Sequence, residues 1–192
     1  MNTLSAYPIT QKWPDQHPER LQLYSLPTPN GVKVSIMLEE PGLPYEVHLE
    51  NFSSNDQMTP EFLSLDANHK IPAIIDPDGP GGQPLPLFET SAIMLYLAEK
   101  TGRFIPADAA GRYETIQWLM RQISGAGPMF GQLGFFHKFA GKDQKRQAPT
   151  RHYVAESKRL LGLLDLTHVN RALAAFVARP AVLRGLEIPN RS

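Results

Sequence analysis

Apolar and polar residues alternate through Leu21-Gln22-Leu23-Tyr24-Ser25, which predicts a half-buried strand. A turn, Leu26-Pro27-Thr28-Pro29-Asn30-Gly31, leads into residues 32–40, where Val34, Met37 and Leu38 share one helical face and Gly42 and Pro44 stop the helix. Residues 45–50 alternate again; after a helix, a right-handed crossover lays this second strand parallel to the first. Thr59-Pro60-Glu61-Phe62 has the form of a helix start, with Thr59 as N-cap and Pro60 in the first turn. Residues 70–76 form a short apolar strand interrupted early by Pro72, and residues 85–89 return as its hairpin partner after Gly79-Pro80-Gly81-Gly82. Thr90 and Ser91 are read as caps of a helix over 92–100, closed by Thr101-Gly102. Beyond Pro106 the strand pattern stops. Helical patterns follow at 113–123, 129–139, 152–164 and 169–177, with Gly125-Ala126-Gly127-Pro128 bending the first into the second.

The order β-α-β-α-β-β-α is the thioredoxin-like arrangement, and an all-α region after it implies an α+β protein of two segregated domains. We divide the chain into an extended N-terminal arm at 1–19, a thioredoxin-like domain at 20–104 and an all-α domain at 105–192. Pro8, Pro14 and Pro18 argue against helix in the arm. Tyr7 and Trp13 either anchor it or leave it a free terminus.

Composition narrows the function classes. Lys plus Arg and Asp plus Glu both number 19, so the formal net charge is zero, without the basic excess of a nucleic-acid-binding protein. The one basic run, 138–151, is diluted by Asp143 and Gln144 and reads as a solvated loop. The absence of cysteine excludes disulfide scaffolds, cysteine-ligated zinc and a cysteine nucleophile. No apolar run approaches the roughly 20 residues of a membrane helix, and the first twenty residues lack the apolar segment of a signal peptide. A soluble cytoplasmic protein without membrane or nucleic-acid partners is therefore expected.

Three separated features carry chemistry. At the turn before the first helix, the Thr28 hydroxyl and Asn30 amide can donate to a thiolate or a bound sulfur, beside the positive end of a helix dipole; an ordinary capped turn is the alternative. Pro72 near the start of a core strand suggests a cis bond that turns the Ile71 backbone toward a peptide-like ligand; a trans proline on an edge strand is the alternative. Glu89-Thr90-Ser91 opens the next helix, where N–H groups and a hydroxyl suit a carboxylate and Glu89 suits an ammonium. Capping explains Thr90 or Ser91 equally well, but not Glu89. In a chain without cysteine, a reactive sulfur at this place must arrive on a ligand.

Read together, Thr28-Pro29-Asn30-Gly31, Asn68-His69-Lys70-Ile71-Pro72-Ala73-Ile74 and Leu87-Phe88-Glu89-Thr90-Ser91-Ala92-Ile93 resemble the cytosolic glutathione transferase family. Within it they are most similar to bacterial nu-type members that act as disulfide-bond oxidoreductases. Tyr96-Leu97-Ala98-Glu99-Lys100, Gln117-Trp118-Leu119 and Gly127-Pro128-Met129 extend the match. The resemblance implies a glutathione-dependent thiol–disulfide oxidoreductase or transferase, acting on a small electrophilic or disulfide substrate and assembled as a homodimer. Thr28 and Asn30 would hold the glutathione sulfur as catalytic residues. Gln57 would sit near a ligand carboxylate, and Ile71, with Lys70 beside it, would pair with the cysteinyl backbone. Glu89 and Thr90 would bind the γ-glutamyl end.

The chain departs from the family pattern in three places. Thr90 stands where serine is usual. His152 stands where an arginine would contact ligand, exchanging a permanent charge for a titratable one, so that binding becomes pH-dependent. After Asp165 the chain runs directly into Leu166-Thr167-His168-Val169, as though about two helices of the all-α domain were absent. Their loss would uncover apolar faces, including that of the helix at 152–164. The alternative to a working enzyme is accordingly a non-catalytic glutathione-binding or interaction module.

Overall fold

The computed structural model describes residues 4–138, 147–164 and 166–189. Most of the basic run at 138–151 lies outside the described residues. The chain divides into two compact units, residues 1–104 with 177–192, and residues 105–176. The C-terminal segment therefore falls with the α/β unit, whereas the sequence reading placed all of 105–192 in the helical domain.

The first unit is a four-stranded sheet in the order β2-β1-β3-β4, formed by β1 Leu21–Ser25, β2 Tyr45–Leu49, β3 Ala73–Asp76 and β4 Leu85–Phe88. β1 and β2 are parallel, β3 is antiparallel to β1, and β4 is antiparallel to β3. This is the thioredoxin-like order expected. β1, however, is buried at every position and is not half-buried. It occupies the interior of the sheet, where the Gln22 side chain is satisfied locally while the Tyr24 hydroxyl is buried without a partner. Gln22 donates to the carbonyls of His17 and Arg20 at 3.0 and 2.8 Å, while its Oε1 pairs with His48 Nε2 at 2.7 Å.

The N-terminal segment corrects a second expectation. It is not an extended arm: a 3-10 turn at Leu4–Ala6 precedes helix α1, Ile9–Lys12. Pro8 is the N-cap of α1, a place where its missing N–H breaks no helical bond, and Pro14 lies beyond the helix end. Leu4 and Ile9 are fully buried with Tyr24, Phe62 and Ile75, and Tyr7 and Trp13 pack against that cluster. The Trp13 ring lies edge-on to Tyr24 and Phe62 at 6.0 and 6.5 Å.

Helix α2, Gly31–Glu39, follows β1, and α3, Pro60–Leu63, starts at the Thr59 cap, which accepts from the Phe62 N–H. Helix α4, Thr90–Thr101, follows β4 and is tied to the far end of β3. There the buried Asp76 accepts from Tyr96 Oη at 2.6 Å and meets Lys100 Nζ at 2.9 Å.

In the helical unit, α5, Ala109–Arg121, is capped by Asp108, whose Oδ1 accepts from the Gly111 N–H at 2.8 Å. One π-helical turn, Gln122–Ala126, joins it to α6, Gly127–Lys138. Pro128 cannot donate and crowds the carbonyl one turn back, so the chain widens its turn before the proline and does not break. Helix α7, Gln147–Gly162, packs on α6 through stacked Phe136 and Tyr153 rings, centroids 5.6 Å apart. Arg121 donates to the Leu160 carbonyl at 2.7 Å. Leu160 is buried, but Leu161 and Leu163 on the same helix and the segment after it are 42% and 56% exposed. Helix α8, Leu166–Val177, follows.

The sequence reading stopped at residue 177. Helix α9, Pro180–Leu186, lies beyond it and packs on α2. Ser35 Oγ donates to the Gly185 carbonyl at 2.5 Å, Arg184 pairs with Glu39 at 2.5 Å, and Arg179 pairs with Glu40.

Candidate functional site

The start of α2, the segment before β3 and the start of α4 meet at one end of the sheet. Asn30, Lys70, Ile71, Glu89 and Thr90 line a single open cleft there, together with Asp66 and Pro72. Five residues singled out from three separated stretches of sequence are thus neighbours.

At the first wall, the Thr28 hydroxyl oxygen accepts from the Gly31 N–H at 3.2 Å, and its carbonyl accepts from Val32 N–H at 3.0 Å. Thr28 therefore does the capping, yet its own hydroxyl hydrogen remains available to a ligand. Asn30 occupies the N-cap position without making a side-chain cap. Its Oδ1 instead accepts from Lys33 Nζ at 3.0 Å. Gly31 opens the helix because nothing larger fits: a Cβ there would lie 2.1 Å from the Leu26 carbonyl oxygen.

At the second wall, the Ile71–Pro72 bond is cis. β3 begins only at Ala73, so Pro72 costs the ladder no donor and Ile71 precedes it on the cleft side. The loop before it is shaped by Asp66, which sequence reasoning missed. Asp66 is 2% exposed, and its carboxylate accepts from the Asn68 and Lys70 N–H groups at 2.7 and 3.3 Å. An aspartate two residues before an asparagine is the available signal, since Asp side chains close turns onto N–H groups just downstream. His69 in that loop has φ 59°, a left-handed conformation uncommon outside glycine.

At the third wall, Glu89 has φ 69° and ψ 111° and makes no side-chain cap. Such a backbone costs roughly 1–3 kcal/mol and persists where the surroundings impose it. Its carboxylate is exposed and accepts only a long 3.4 Å bond from Asn68 Nδ2. Helix α4 begins at Thr90, so Thr90 and Ser91 lie inside the first turn and are not caps, with free N–H groups around them.

Three expected residues, Thr28, Gln57 and His152, are not among those lining this cleft. Gln57 sits on a 3-10 turn, Asp56–Met58, with its Oε1 buried and unpartnered. His152 is on α7 of the helical unit, exposed, with its ring edge-on to Tyr153 at 5.4 Å. Among the described residues no cluster of His, Asp or Glu is arranged to hold a metal ion.

The cleft can hold a short peptide by its backbone at Ile71, an ammonium at Glu89, a carboxylate at the α4 N-terminus and a sulfur anion at the α2 N-terminus. Comparison with known proteins gives the same direction. The family model "Glutathione S-transferase, N-terminal domain" matches residues 19–99. The chain is 43% identical over 146 residues to the disulfide-bond oxidoreductase YfcG of Escherichia coli, an alignment covering 76% of this chain and 67% of that protein. It is 42% identical over 156 residues to YghU of the same organism, also a disulfide-bond oxidoreductase, covering 78% of this chain and 52% of that one. The chain thus spans between half and two thirds of the length of these curated relatives. A crystal structure of a glutathione transferase from Burkholderia graminis, with two glutathione molecules bound per subunit, superposes with a TM-score of 0.96 at 59% identity, covering 100% of this chain and 98% of that one.

Proposed function

Because the chain belongs to the glutathione transferase family, we propose that it binds glutathione in this cleft and uses it as the reactive thiol of a thiol–disulfide oxidoreductase. The observation that carries the reading is the convergence of Asn30, Ile71, Glu89 and Thr90 in one cleft of a protein without cysteine. Glu89 takes the γ-glutamyl ammonium, and Thr90 with its neighbouring N–H groups takes the carboxylate. Ile71, beside Lys70, pairs with the cysteinyl backbone. Thr28 and Asn30 donate to the sulfur. Gln57 sits near a remaining ligand carboxylate.

In the exchange, the thiolate of one bound glutathione attacks a disulfide, forms a mixed disulfide and expels one thiolate of the substrate. A second glutathione thiolate attacks the glutathione sulfur of the mixed disulfide. That step releases the second substrate thiolate and glutathione disulfide. Two glutathiones supply both electrons, and the two thiolates take up the protons the glutathiones gave. The two glutathiones per subunit in the Burkholderia protein support this stoichiometry. The same reading makes the protein a cytoplasmic homodimer, with substrate chosen by the helical half. The shortened helical half lowers turnover more than binding, because the residues assigned to glutathione lie mainly in the first unit.

Thermal denaturation with and without glutathione disulfide, paired with glutathione-dependent reduction of a small disulfide, tests the proposal. Stabilisation together with turnover is expected. Stabilisation without turnover indicates the non-catalytic glutathione-binding module, and neither effect overturns both.

A further inference from the structure

Lysine is out of place in the first turn of a helix, where the dipole already concentrates positive potential. Helix α2 nonetheless carries Lys33 in its first turn and no acidic residue there. Lys33 is half-buried, and burial pulls its pKa below the ordinary lysine value. No carboxylate stands within ion-pair distance of it among the described residues, and its Nζ lies 3.0 Å from Asn30 Oδ1.

We infer that Lys33 is a positioning residue that fixes the orientation of the Asn30 amide and, with its charge, holds the glutathione sulfur as a thiolate. The inference rests on the glutathione reading above. An ammonium has three donors and no acceptor, so the atom of Asn30 facing it must be the oxygen. The amide NH2 is then directed away from Lys33, free to donate to a sulfur in the cleft. Without Lys33 nothing in the described contacts of Asn30 distinguishes the two ends of the amide, and a half-turn would present an oxygen lone pair to the anion. The charge acts in the same sense. A partly desolvated cation one amide away from the sulfur favours loss of the thiol proton to solvent. The cost of a cation at a helix N-terminus is thus offset only when an anion is bound, which ties the residue to the ligand and not to the fold.

The test compares the full-length wild type with Lys33→Gln and Lys33→Arg. Glutathione affinity is measured by calorimetry, and the thiolate of the bound ligand by its ultraviolet absorbance across a pH titration. Lys33→Gln is expected to keep affinity for an S-methylated glutathione and its melting temperature, while the thiolate fraction at neutral pH falls roughly threefold or more. Lys33→Arg, which keeps the charge and a donor-only head group, is expected to restore most of it. A Lys33→Gln titration superimposable on the wild type overturns the inference while leaving glutathione binding intact. An equal loss in both variants also overturns it, since a purely structural role then explains the effect. A wild type that binds neither ligand overturns the glutathione reading itself, and the inference falls with it.

Discussion

Replacing Gly185 by alanine separates a docked α9 from an undocked one by the sign of the effect. On an exposed helix, glycine to alanine stabilises by about 1 kcal/mol, because alanine loses less backbone entropy and is the better helix former. In this structure the added Cβ would stand 2.7 Å from the N, Cα and Cγ1 of Ile36 on α2. Two of those three atoms are backbone, so no rotamer change of Ile36 removes the clash. Either α2 or α9 must move. Such overpacking costs about 1–3 kcal/mol. Displacement also strips the Ser35 hydroxyl of the Gly185 carbonyl, a buried bond contributing about 1 kcal/mol. The Arg184–Glu39 and Arg179–Glu40 pairs have arginines more than half exposed and add little. Set against the helix-propensity gain, the net loss is about 1–3 kcal/mol, read as a lower midpoint in urea denaturation at unchanged slope. Ser35→Ala alone should lose about 1 kcal/mol, and the double variant less than the sum, since both act on one contact. A Gly185→Ala protein as stable as the wild type, or more stable, would refute the packing of α9 on α2.

Glu50 is fully buried with no partner for either carboxylate oxygen, and burial, with Asp56 adding to it against the pull of Lys12, pushes its pKa from 4.5 up to about 8. The folded state thus keeps a proton that the unfolded chain gives up, so this contribution is full below the ordinary glutamate range and is lost as pH rises through about 8. The unfolding free energy should fall by on the order of a few kcal/mol across that window in the wild type and stay flatter in Glu50→Gln. Glu89→Gly should gain about 1 kcal/mol of stability by relaxing its positive φ while losing glutathione binding in calorimetry; a loss of stability would mean the backbone there is unstrained.

The strand order and the first four long elements were legible because each has its own local period and its own punctuation. Thr59-Pro60 starts α3, Gly42 at φ 75° follows α2, and Gly102 at φ 63° closes α4. What was not legible depended on contacts far away in sequence. Residues 4–12 have three prolines nearby and no long apolar period, yet Leu4 and Ile9 complete a core whose other members lie beyond residue 20. Full burial of Gln22 could not be seen in β1, because its partners are a histidine on β2 and two carbonyls of the preceding turn. Arg179-Pro180 reads as a stop, since proline ends many helices. Here it opens α9 as its first residue, and the reward for continuing is a face of α2 about 150 residues upstream. Asn30, Ile71, Glu89 and Thr90, which share the cleft, could be singled out because each sits at an element boundary. Asp66 and Lys33 were not, for their roles consist of holding another residue in place.

Several departures from local rules lie where the ligand is proposed to bind. Asn30 holds an N-cap position without capping, Lys33 adds a cation to a positive helix end, and Glu89 and His69 adopt positive φ at non-glycine positions. Elsewhere in the α/β unit Thr59 caps and Asp76 is paired by Tyr96 and Lys100, but Asn55 and Phe104 also adopt positive φ and the Glu50 carboxylate is buried without a partner. A fold under selection for stability alone would remove such costs by single substitutions, glycine at 89 or an acid at 33 among them. At the cleft, a bound anion and a bound ammonium would turn each of these costs into a favourable contact. On the proposed reading, the chemistry missing from a chain without cysteine is supplied by a ligand that brings its own sulfur, and the α2 helix end and Lys33 supply the field that would ionise it.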